Sequence, residues 1–324
     1  MTSSTTSTAR GDDLPVAVFG ATGAQGGPVV RALLAAGRPV RALGHTAEKL
    51  VALKEQGAET AVVDLADRAS VARAVDGASG VFAHLPFIPV PEVIRAQSTG
   101  LAAGLADAQV PLTVFTLSGP PTTTPLGVPS FDTKAIAKQV LSDSGVPLVA
   151  FEPMGYLGNL SSFFSAPSVV YRDELRYPLR AEHRQAWIST EDQAALALAA
   201  LTRPDLAGRW LRIGEQYTGP ELAAGIGEGL GRTLRYVPLD PAVFGRSLVP
   251  VMGETVAQLL ADDYAMLNSR PASLNLDDDT TAVRDLLGVP ATSLADWARG
   301  QDWQGSAAIL GEPGDDDDTT GAAS

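Results

Sequence analysis

Three glycines near the beginning of the chain have the spacing of a turn that binds anions. Gly20, Gly23 and Gly26 follow the apolar run 15–19 and precede a segment whose apolar residues recur at helical spacing. Backbone N–H groups at a helix start attract anions, and a residue without a Cβ lets a pyrophosphate approach the backbone. We therefore predict a dinucleotide-binding turn, against the alternative of a tight strand-to-helix turn without a ligand. The candidate residues are Gly20, Thr22, Gly23, Ala24, Gln25 and Gly26.

The residues around the end of the second predicted strand distinguish between the two nicotinamide cofactors. An acidic residue there would hydrogen-bond to the adenosine ribose and disfavour a 2′-phosphate. This chain has Arg41, His45 and Lys49 in that region, and its first acidic residue is Glu48. Arg41, with His45 or Lys49 nearby, can accommodate the phosphate of NADP, so we predict NADP rather than NAD. The alternative is that these are solvated charges at the start of a helix.

The elements that must position these residues alternate between strand and helix from residue 15 to residue 151. The predicted strands are 15–19, 39–43, 59–63, 80–84, 112–117 and 147–151, and the predicted helices are 25–36, 46–56, 68–75, 91–108 and 130–144. Several of the strands are apolar throughout, which is typical of strands covered on both faces. The sequence therefore predicts an α/β fold with a doubly wound parallel sheet of the Rossmann type.

After Pro153 this alternation stops, and we predict a smaller, mixed, mostly helical substrate lobe. Residues 154–185 are aromatic and irregular, which indicates a long loop of the kind that often carries function. A helix capped by 190–192, a strand at 210–213 and a capping box at Thr218 follow. The predicted organisation is a disordered tail (1–13), an NAD(P)-binding domain (14–152), the C-terminal lobe (153–304, with about 185–215 returning to the sheet) and a disordered acidic tail (305–324).

Composition excludes several classes of function. The 324 residues include no cysteine, so disulfides, thiolate zinc sites and thiol nucleophiles are absent. A net charge of −13 argues against binding to a nucleic-acid backbone. The three histidines do not have metal-ligand spacing, and we predict no metal site. With no secretory leader and no apolar run near the roughly 20 residues of a membrane span, we expect a cytoplasmic protein. Residue usage is typical of a GC-rich bacterial genome.

A series of motifs between about residues 15 and 303 resembles the NmrA-like group of atypical short-chain dehydrogenase/reductases. Each motif alone is common, and the ordered combination is what makes the resemblance specific. The motifs are 18–26 (VFGATGAQG), 40–43 (VRAL), 62–65 (VVDL), 131–134 (FDTK), 151–159 (FEPMGYLGN), 187–192 (WISTED) and 286–288 (LLG).

The resemblance implies roles for residues that follow the strands. Asp64 and Leu65 would lie beside the adenine, and Leu85 and Pro86 would flank the ribose and nicotinamide side of the cofactor. Ser118 would lie near the reacting centre, and Asp192 would anchor a helix start rather than perform chemistry. The residues implied to border the nicotinamide and the substrate pocket are Pro153, Gly155, Tyr156 and Asn159.

The resemblance also implies that Lys134 lies near the nicotinamide ribose and acts in proton transfer. The alternative is a solvated lysine on a helix surface, since Lys138 lies one turn further on. The wider dehydrogenase family has a tyrosine four residues before the lysine, and this chain has Ser130 there. Catalysis must then use Lys134, Ser118, Tyr156 or a water molecule, unless a substrate such as a quinone needs little help with protons.

These observations predict an NAD(P)H-dependent reductase that transfers hydride to a small carbonyl, enone or quinone. Tyr156, Phe163 and Phe164 are predicted to form part of a substrate pocket or lid, although ordinary core packing explains the two phenylalanines about as well. Two alternatives are a non-catalytic NADP(H)-binding redox sensor and a cofactor-dependent epimerase or isomerase. The expected partner is a small molecule, not nucleic acid or a membrane, and the sequence leaves monomer and homodimer open.

Overall fold

The computed structural model describes residues 13–120, 125–269 and 280–311, and the first part of the chain alternates between strands and helices as predicted. The strands are β1 (Val16–Phe19), β2 (Val40–Gly44), β3 (Glu59–Val62), β4 (Gly80–His84), β5 (Thr113–Thr116) and β6 (Leu148–Pro153). The helices between them are α1 (Gly26–Ala35), α2 (Ala47–Glu55), α3 (Arg68–Val75), α4 (Pro91–Asp107) and α5 (Pro129–Asp143).

Within the described residues these strands form a seven-stranded sheet in the order β10-β6-β5-β4-β1-β2-β3, where β10 is Trp210–Ile213. The neighbouring pairs from β3 across to β6 are parallel. The strand order reverses between β1 and β4, since β1 pairs with β2 on one side and β4 on the other. In sheets of this type ligands bind outside the carboxyl ends of the strands at that reversal. The predicted Rossmann-like α/β fold is confirmed.

The apolar character of the strands explains why both faces of the sheet are covered. All four residues of β1 are buried, and so are all six of β6. One cluster of buried residues joins β1, β4 and β5 to α3 and α4, with Phe19, Leu101 and Phe115 among its members. Burial of this apolar surface contributes about 25 cal/mol per Å² and fixes the strand ends that carry the candidate site.

The described residues divide into two compact units. The first contains the residues up to Leu117 together with Ile136–Phe151 and Gln193–Leu211, and the second contains Ser118–Ala135, Glu152–Asp192 and the residues from Arg212 onward. The second unit has its own three-stranded sheet, β11-β9-β7, and a two-stranded sheet, β12-β8. The strands of these sheets are β7 (Gly155–Tyr156), β8 (Glu174–Tyr177), β9 (Gln185–Ile188), β11 (Glu215–Tyr217) and β12 (Arg235–Pro238).

The remaining helices lie mostly in the second half of the chain. Their bounds are α6 (Ala166–Arg172), α7 (Thr190–Ala200), α8 (Gly219–Leu230), α9 (Pro241–Met252), α10 (Glu254–Ser269), α11 (Ala282–Leu287), α12 (Leu294–Arg299) and α13 (Trp303–Ala307). The predicted capping box before α8 is confirmed, because Thr218 accepts from the Glu221 N–H and Glu221 accepts from the Thr218 N–H. Among the described residues, no helix combines the length and the apolar character that crossing a membrane requires.

The structure differs from the sequence prediction in three places. The segment 154–185 is not one irregular loop, because β7, a 3-10 turn at Leu157–Asn159, α6 and β8 all lie within it. The cap of α7 is Ser189, whose hydroxyl accepts from the Asp192 N–H. Residue 305 does not begin a disordered tail, because the Asp302 side chain accepts from the Gly305 N–H and starts α13. Residues 1–12 and 312–324, which make up most of the two predicted tails, lie outside the described residues.

A buried ion cluster links distant parts of the second unit. Asp192 accepts hydrogen bonds from Arg284 at 2.7 Å and from the hydroxyl of Thr292 at 2.6 Å. Arg284 also bonds to Glu215 and donates to the carbonyl of Pro290. Asp192 therefore holds the C-terminal segment against the start of α7, in keeping with the structural role expected for it.

Candidate cofactor and active-site residues

The glycine turn lies directly after β1, in the first unit. Gly20 has φ +60°, a backbone conformation that L side chains rarely adopt. The Gly23 N–H donates to the Gly20 carbonyl at 2.9 Å, and the Gly27 N–H donates to the Gly23 carbonyl at 2.9 Å. A Cβ at Gly26 would lie 2.4 Å from the Gly20 carbonyl oxygen, so only glycine fits there. Thr22 and Ala24 are exposed residues of the same turn.

Two observations at the start of α1 agree with the binding of a dinucleotide there. Gln25 is the N-cap residue of α1 and makes no side-chain capping bond. Because the Gly27 N–H donates to the Gly23 carbonyl and residue 28 is a proline, the Gly26 N–H is the group of the first turn left to another acceptor. The Oε1 of Gln25 is buried and has no hydrogen-bond partner among the described residues. A diphosphate at this point would meet the Gly26 N–H at the positive end of α1.

His84 is a candidate site residue that the sequence reasoning missed. It ends β4 at the reversal of strand order, and its Nε2 would lie 2.2 Å from a Cβ on Gly20. Burial lowers the pKa of His84, which favours the neutral ring. Nδ1 lies 3.3 Å from the Leu85 carbonyl oxygen, whereas Nε2 is buried and has no partner among the described residues. Its position at the carboxyl end of β4 was the signal that could have identified it.

The residues implied to lie beside the adenine (Asp64 and Leu65) and along the ribose and nicotinamide side (Leu85 and Pro86) also follow strands of the first unit. Asp64 follows β3, and its Oδ1 accepts from the Ala66 N–H at 2.9 Å, which shapes the loop. Leu65 and Leu85 are partly buried and pack on the core of this unit. Pro86 is exposed.

Arg41 is held by its neighbours in the first unit. Its Nε lies 2.8 Å from the Glu59 carboxylate, and its NH1 donates to the carbonyls of Ala74 and Asp76. These three bonds direct the guanidinium to β3 and to the end of α3. His45 and Lys49, which were named with Arg41 as possible phosphate ligands, are exposed at the end of β2 and in the first turn of α2.

The second unit brings Lys134 against the segment after β5. Gly119 has φ +128°, and its N–H donates to the Pro153 carbonyl at 2.9 Å. A Cβ at Gly119 would lie 3.0 Å from Cδ and 3.2 Å from Nζ of Lys134, so the lysine passes directly over this glycine. Ser118, the preceding residue, is half-buried.

The environment of Lys134 is not that of a solvated surface lysine. Its Nζ lies 5.1 Å from the centroid of the Phe131 ring. Burial lowers the pKa of Lys134 to about 8, and the charge of Asp263 opposes that decrease. Lys138, one turn further on, instead lies with its Nζ 4.8 Å from the Trp210 ring. A lysine with such a pKa exchanges protons near neutral pH, as acid–base chemistry requires.

Ser130 and Asp263 complete the surroundings of Lys134, and Asp263 is the second residue that sequence reasoning missed. Ser130 donates a short hydrogen bond to the Asp263 carboxylate. Asp263 is only 7% exposed, and burial raises its pKa while Ser130 and Lys134 lower it. No local motif marks Asp263, because it lies on α10, far from Lys134 along the chain.

The residues expected to border the substrate lie in the second unit. A Cβ at Gly155 would lie 2.7 Å from Nε2 of Gln185, so this position has no room for a side chain. Tyr156 is half-buried on β7, and Asn159 hydrogen-bonds to the Tyr177 hydroxyl. Phe163 and Phe164 pack edge to face, and Phe164 packs on Phe244 with ring centroids 5.3 Å apart. These two contacts are those of a packed aromatic cluster, so a lid role for the phenylalanines stays a prediction.

The fold and the glycine turn at the strand reversal define a Rossmann-like α/β protein, the class that binds dinucleotides at that point. Residues 13–287 match the family model described as the NmrA-like family, and the chain belongs to that family. Among the described residues, no group of three or more histidine and carboxylate side chains is arranged to hold a metal ion.

Three proteins that are similar to this chain are described as having different functions. An NAD(P)H azoreductase of Xenophilus azovorans is 27% identical over 287 residues, which cover 88% of this chain and 96% of that protein. The structure of an NADPH-dependent quinone oxidoreductase from Escherichia coli complexed with NADPH is 24% identical, with a TM-score of 0.71 over 87% of this chain and 98% of the other. The structure of NmrA, a negative transcriptional regulator in complex with NAD, is 18% identical, with a TM-score of 0.70 over 92% of this chain and 98% of the other.

The contact between Gly20 and His84 predicts a specific cost for a side chain at the turn. Gly37→Ala is the matched control, because Gly37 has φ +67° and no atom near its missing Cβ. Gly37→Ala should cost about 1–2 kcal/mol of unfolding free energy from backbone strain alone. Gly20→Ala should cost about 1–3 kcal/mol more, because the histidine must also move. Urea denaturation measures both, and equal losses would mean that the ring does not constrain the turn.

Proposed function

We propose that the protein is an NAD(P)H-dependent reductase that transfers hydride from the nicotinamide to a small carbonyl, enone, quinone or azo compound. The observation that carries the proposal is the position of the half-buried Lys134, whose amine lies over Gly119 and whose pKa is lowered to about 8. A lysine confined in this way can donate a proton to the reduced substrate. The azo and quinone reductases among the similar proteins support this class of acceptor.

Each group of candidate residues has a separate task in this proposal. The Gly26 N–H and the positive end of α1 hold the diphosphate in this proposal. The bound nicotinamide supplies the hydride. Lys134 hydrogen-bonds to the ribose and donates the proton. Ser130 is not the donor, because its hydroxyl proton points to the Asp263 carboxylate.

A non-catalytic regulatory protein is the second candidate. The similarity to the NAD-bound NmrA regulator favours it, as does the serine in place of the tyrosine of the wider dehydrogenase family. Such a protein would bind the cofactor and change the activity of a partner. An epimerase is disfavoured, because the tyrosine that handles its proton is missing.

Turnover with a panel of acceptors tests the reductase against the regulator. Purified protein with NADPH should consume the cofactor absorbance in the presence of at least one quinone, enone, aldehyde or azo dye. Calorimetry with NADP⁺ and NAD⁺ measures cofactor binding in the same preparation. Tight binding without turnover on any acceptor would favour the regulator, and no binding of either cofactor would reject both.

Lys134→Ala, with Lys138→Ala as the matched control, tests the proton donor. Lys134→Ala should lower kcat by about 10²–10⁴-fold, since general acid catalysis contributes that much, while cofactor affinity falls far less. Lys138→Ala should leave kcat unchanged, because its amine lies over Trp210. Steady-state kinetics and calorimetry give both quantities. If Lys134→Ala keeps the wild-type kcat, Lys134 is not the proton donor.

Cofactor preference depends on the residues after β2. We propose that NADP is preferred and that the exposed Lys49 and His45 contact its 2′-phosphate, since Arg41 is engaged by Glu59 and two carbonyls. Lys49→Ala should weaken NADPH roughly tenfold, as expected for a charge-assisted hydrogen bond, and leave NADH unchanged. Arg41→Ala should change the affinity for both cofactors equally, because Arg41 is the second residue of β2 and its three bonds hold the amino end of that strand. If Arg41→Ala weakens NADPH binding more than NADH binding and Lys49→Ala does not, the arginine is the phosphate ligand.

A further inference from the structure

The side chain of Asp263 is an unusual feature of α10, because a carboxylate is costly to bury without partners. Asp263 is 7% exposed, whereas its neighbour Asp262 is exposed and accepts from Gln258 one turn earlier on the same helix at 2.8 Å. The buried carboxylate accepts a hydrogen bond from Ser130 on α5. The buried acid is therefore directed at α5 rather than at water.

Ser130 and Lys134 lie one helical turn apart on α5, so their side chains share a face. The hydroxyl of Ser130 bonds to Asp263, and the amine of Lys134 interacts with the charge of the same carboxylate. One acid from a distant helix thus acts on both groups of α5, on Ser130 through a hydrogen bond and on Lys134 through its charge. On its other side, the lysine lies over Gly119 with no side chain between them.

We infer that Asp263 is a positioning residue for the reduction: its carboxylate fixes Ser130 and keeps the Lys134 amine charged beside Gly119. This inference rests on the proposed reductase function and names the residue that makes Lys134 a usable donor. Serine is too short to serve as the tyrosine does elsewhere in the wider family, and its hydroxyl is turned to the acid. In this proposal Lys134, under the influence of the Asp263 charge, takes the place of that tyrosine.

The proton balance of the step is simple. Hydride from NADPH adds to the acceptor and leaves NADP⁺ and an anion on the reduced oxygen or nitrogen. An N–H bond of the Lys134 ammonium breaks as the new O–H or N–H bond forms, and the neutral amine then takes a proton from water. Ser130 and Asp263 are unchanged over the cycle, because they hold the lysine and its charge and transfer nothing to substrate.

The charged residues around Lys134 indicate which variant is the right control for Asp263→Asn. Among the described residues, Asp263 is the charged group that acts on Lys134, and Asp262 acts in turn on Asp263. Asp262→Asn removes a carboxylate from the same helix without touching Ser130 or Lys134. It is therefore the matched control for Asp263→Asn.

Lysine NMR of the full-length protein tests the inference without relying on activity. The chain has only four lysines, Lys49, Lys54, Lys134 and Lys138, so ¹³C-lysine labelling gives few side-chain signals, and Lys134→Arg identifies the one required. In Asp263→Asn the titration midpoint of Lys134 should fall by about one pH unit, because an opposite charge is lost. Asp263→Glu should keep most of the wild-type value, and Asp262→Asn should match wild type. A midpoint unchanged in Asp263→Asn overturns the inference.

Kinetics then connects the charge to the reaction. In Asp263→Asn the alkaline limb of the kcat profile should move down with the NMR midpoint, while KM for NADPH changes less than twofold. Ser130→Ala keeps the charge and loses the hydrogen bond, so it should lower kcat without lowering the midpoint. If Asp263→Asn does not fold, Ser130→Ala still tests whether the contact with Asp263 matters for kcat.

A titration midpoint that moves while the pH profile of kcat stays fixed overturns the role of Asp263 in the reaction. Wild-type protein that reduces no acceptor refutes the proposed function instead, whatever the lysine titration shows.

Discussion

The close approach of β1 and β4 at their carboxyl ends is the constraint on which the candidate cofactor site depends. Their parallel pairing brings Gly20 against the ring of His84, and only a residue without a Cβ fits between backbone and ring. The turn that follows is equally restricted, because Gly26 lies against the Gly20 carbonyl. Steric contacts therefore fix the backbone that leads from β1 into α1, where the proposed diphosphate site lies.

A second constraint concerns the charge of one amine. Burial disfavours the ammonium form of Lys134, and the carboxylate of Asp263 favours it, so the pKa settles near the pH at which cells work. The acid is itself buried and depends on the Ser130 hydroxyl for a hydrogen bond. Each of the three groups makes the burial of the others less costly, which is how a polar cluster persists within an apolar surrounding.

Local patterns in the sequence predicted the strands and helices of the sheet to within one or two residues at most ends. Continuous apolar runs such as β1 and stop signals such as Gly37 act over a few neighbours, so they can be identified from the sequence alone. The segment 154–185 was predicted poorly because its strands pair with partners far along the chain, as β8 does with β12. Asp263 was missed for the same reason, since its role comes from a contact with Ser130 on a distant helix, which residue type and spacing do not reveal. His84, in contrast, ends a strand that was predicted correctly, so its position was available from the sequence and only its contact with Gly20 was not.

The Asp192–Arg284 ion pair has a consequence for how the chain is made. Asp192 leaves the ribosome long before Arg284 and Thr292, which neutralise it and satisfy its oxygens. Until those residues emerge, packing α7 in its final place would bury a carboxylate without compensation, at a cost of several kcal/mol. The surroundings of Asp192 are therefore complete only once the chain has been made as far as Thr292, near the end of synthesis.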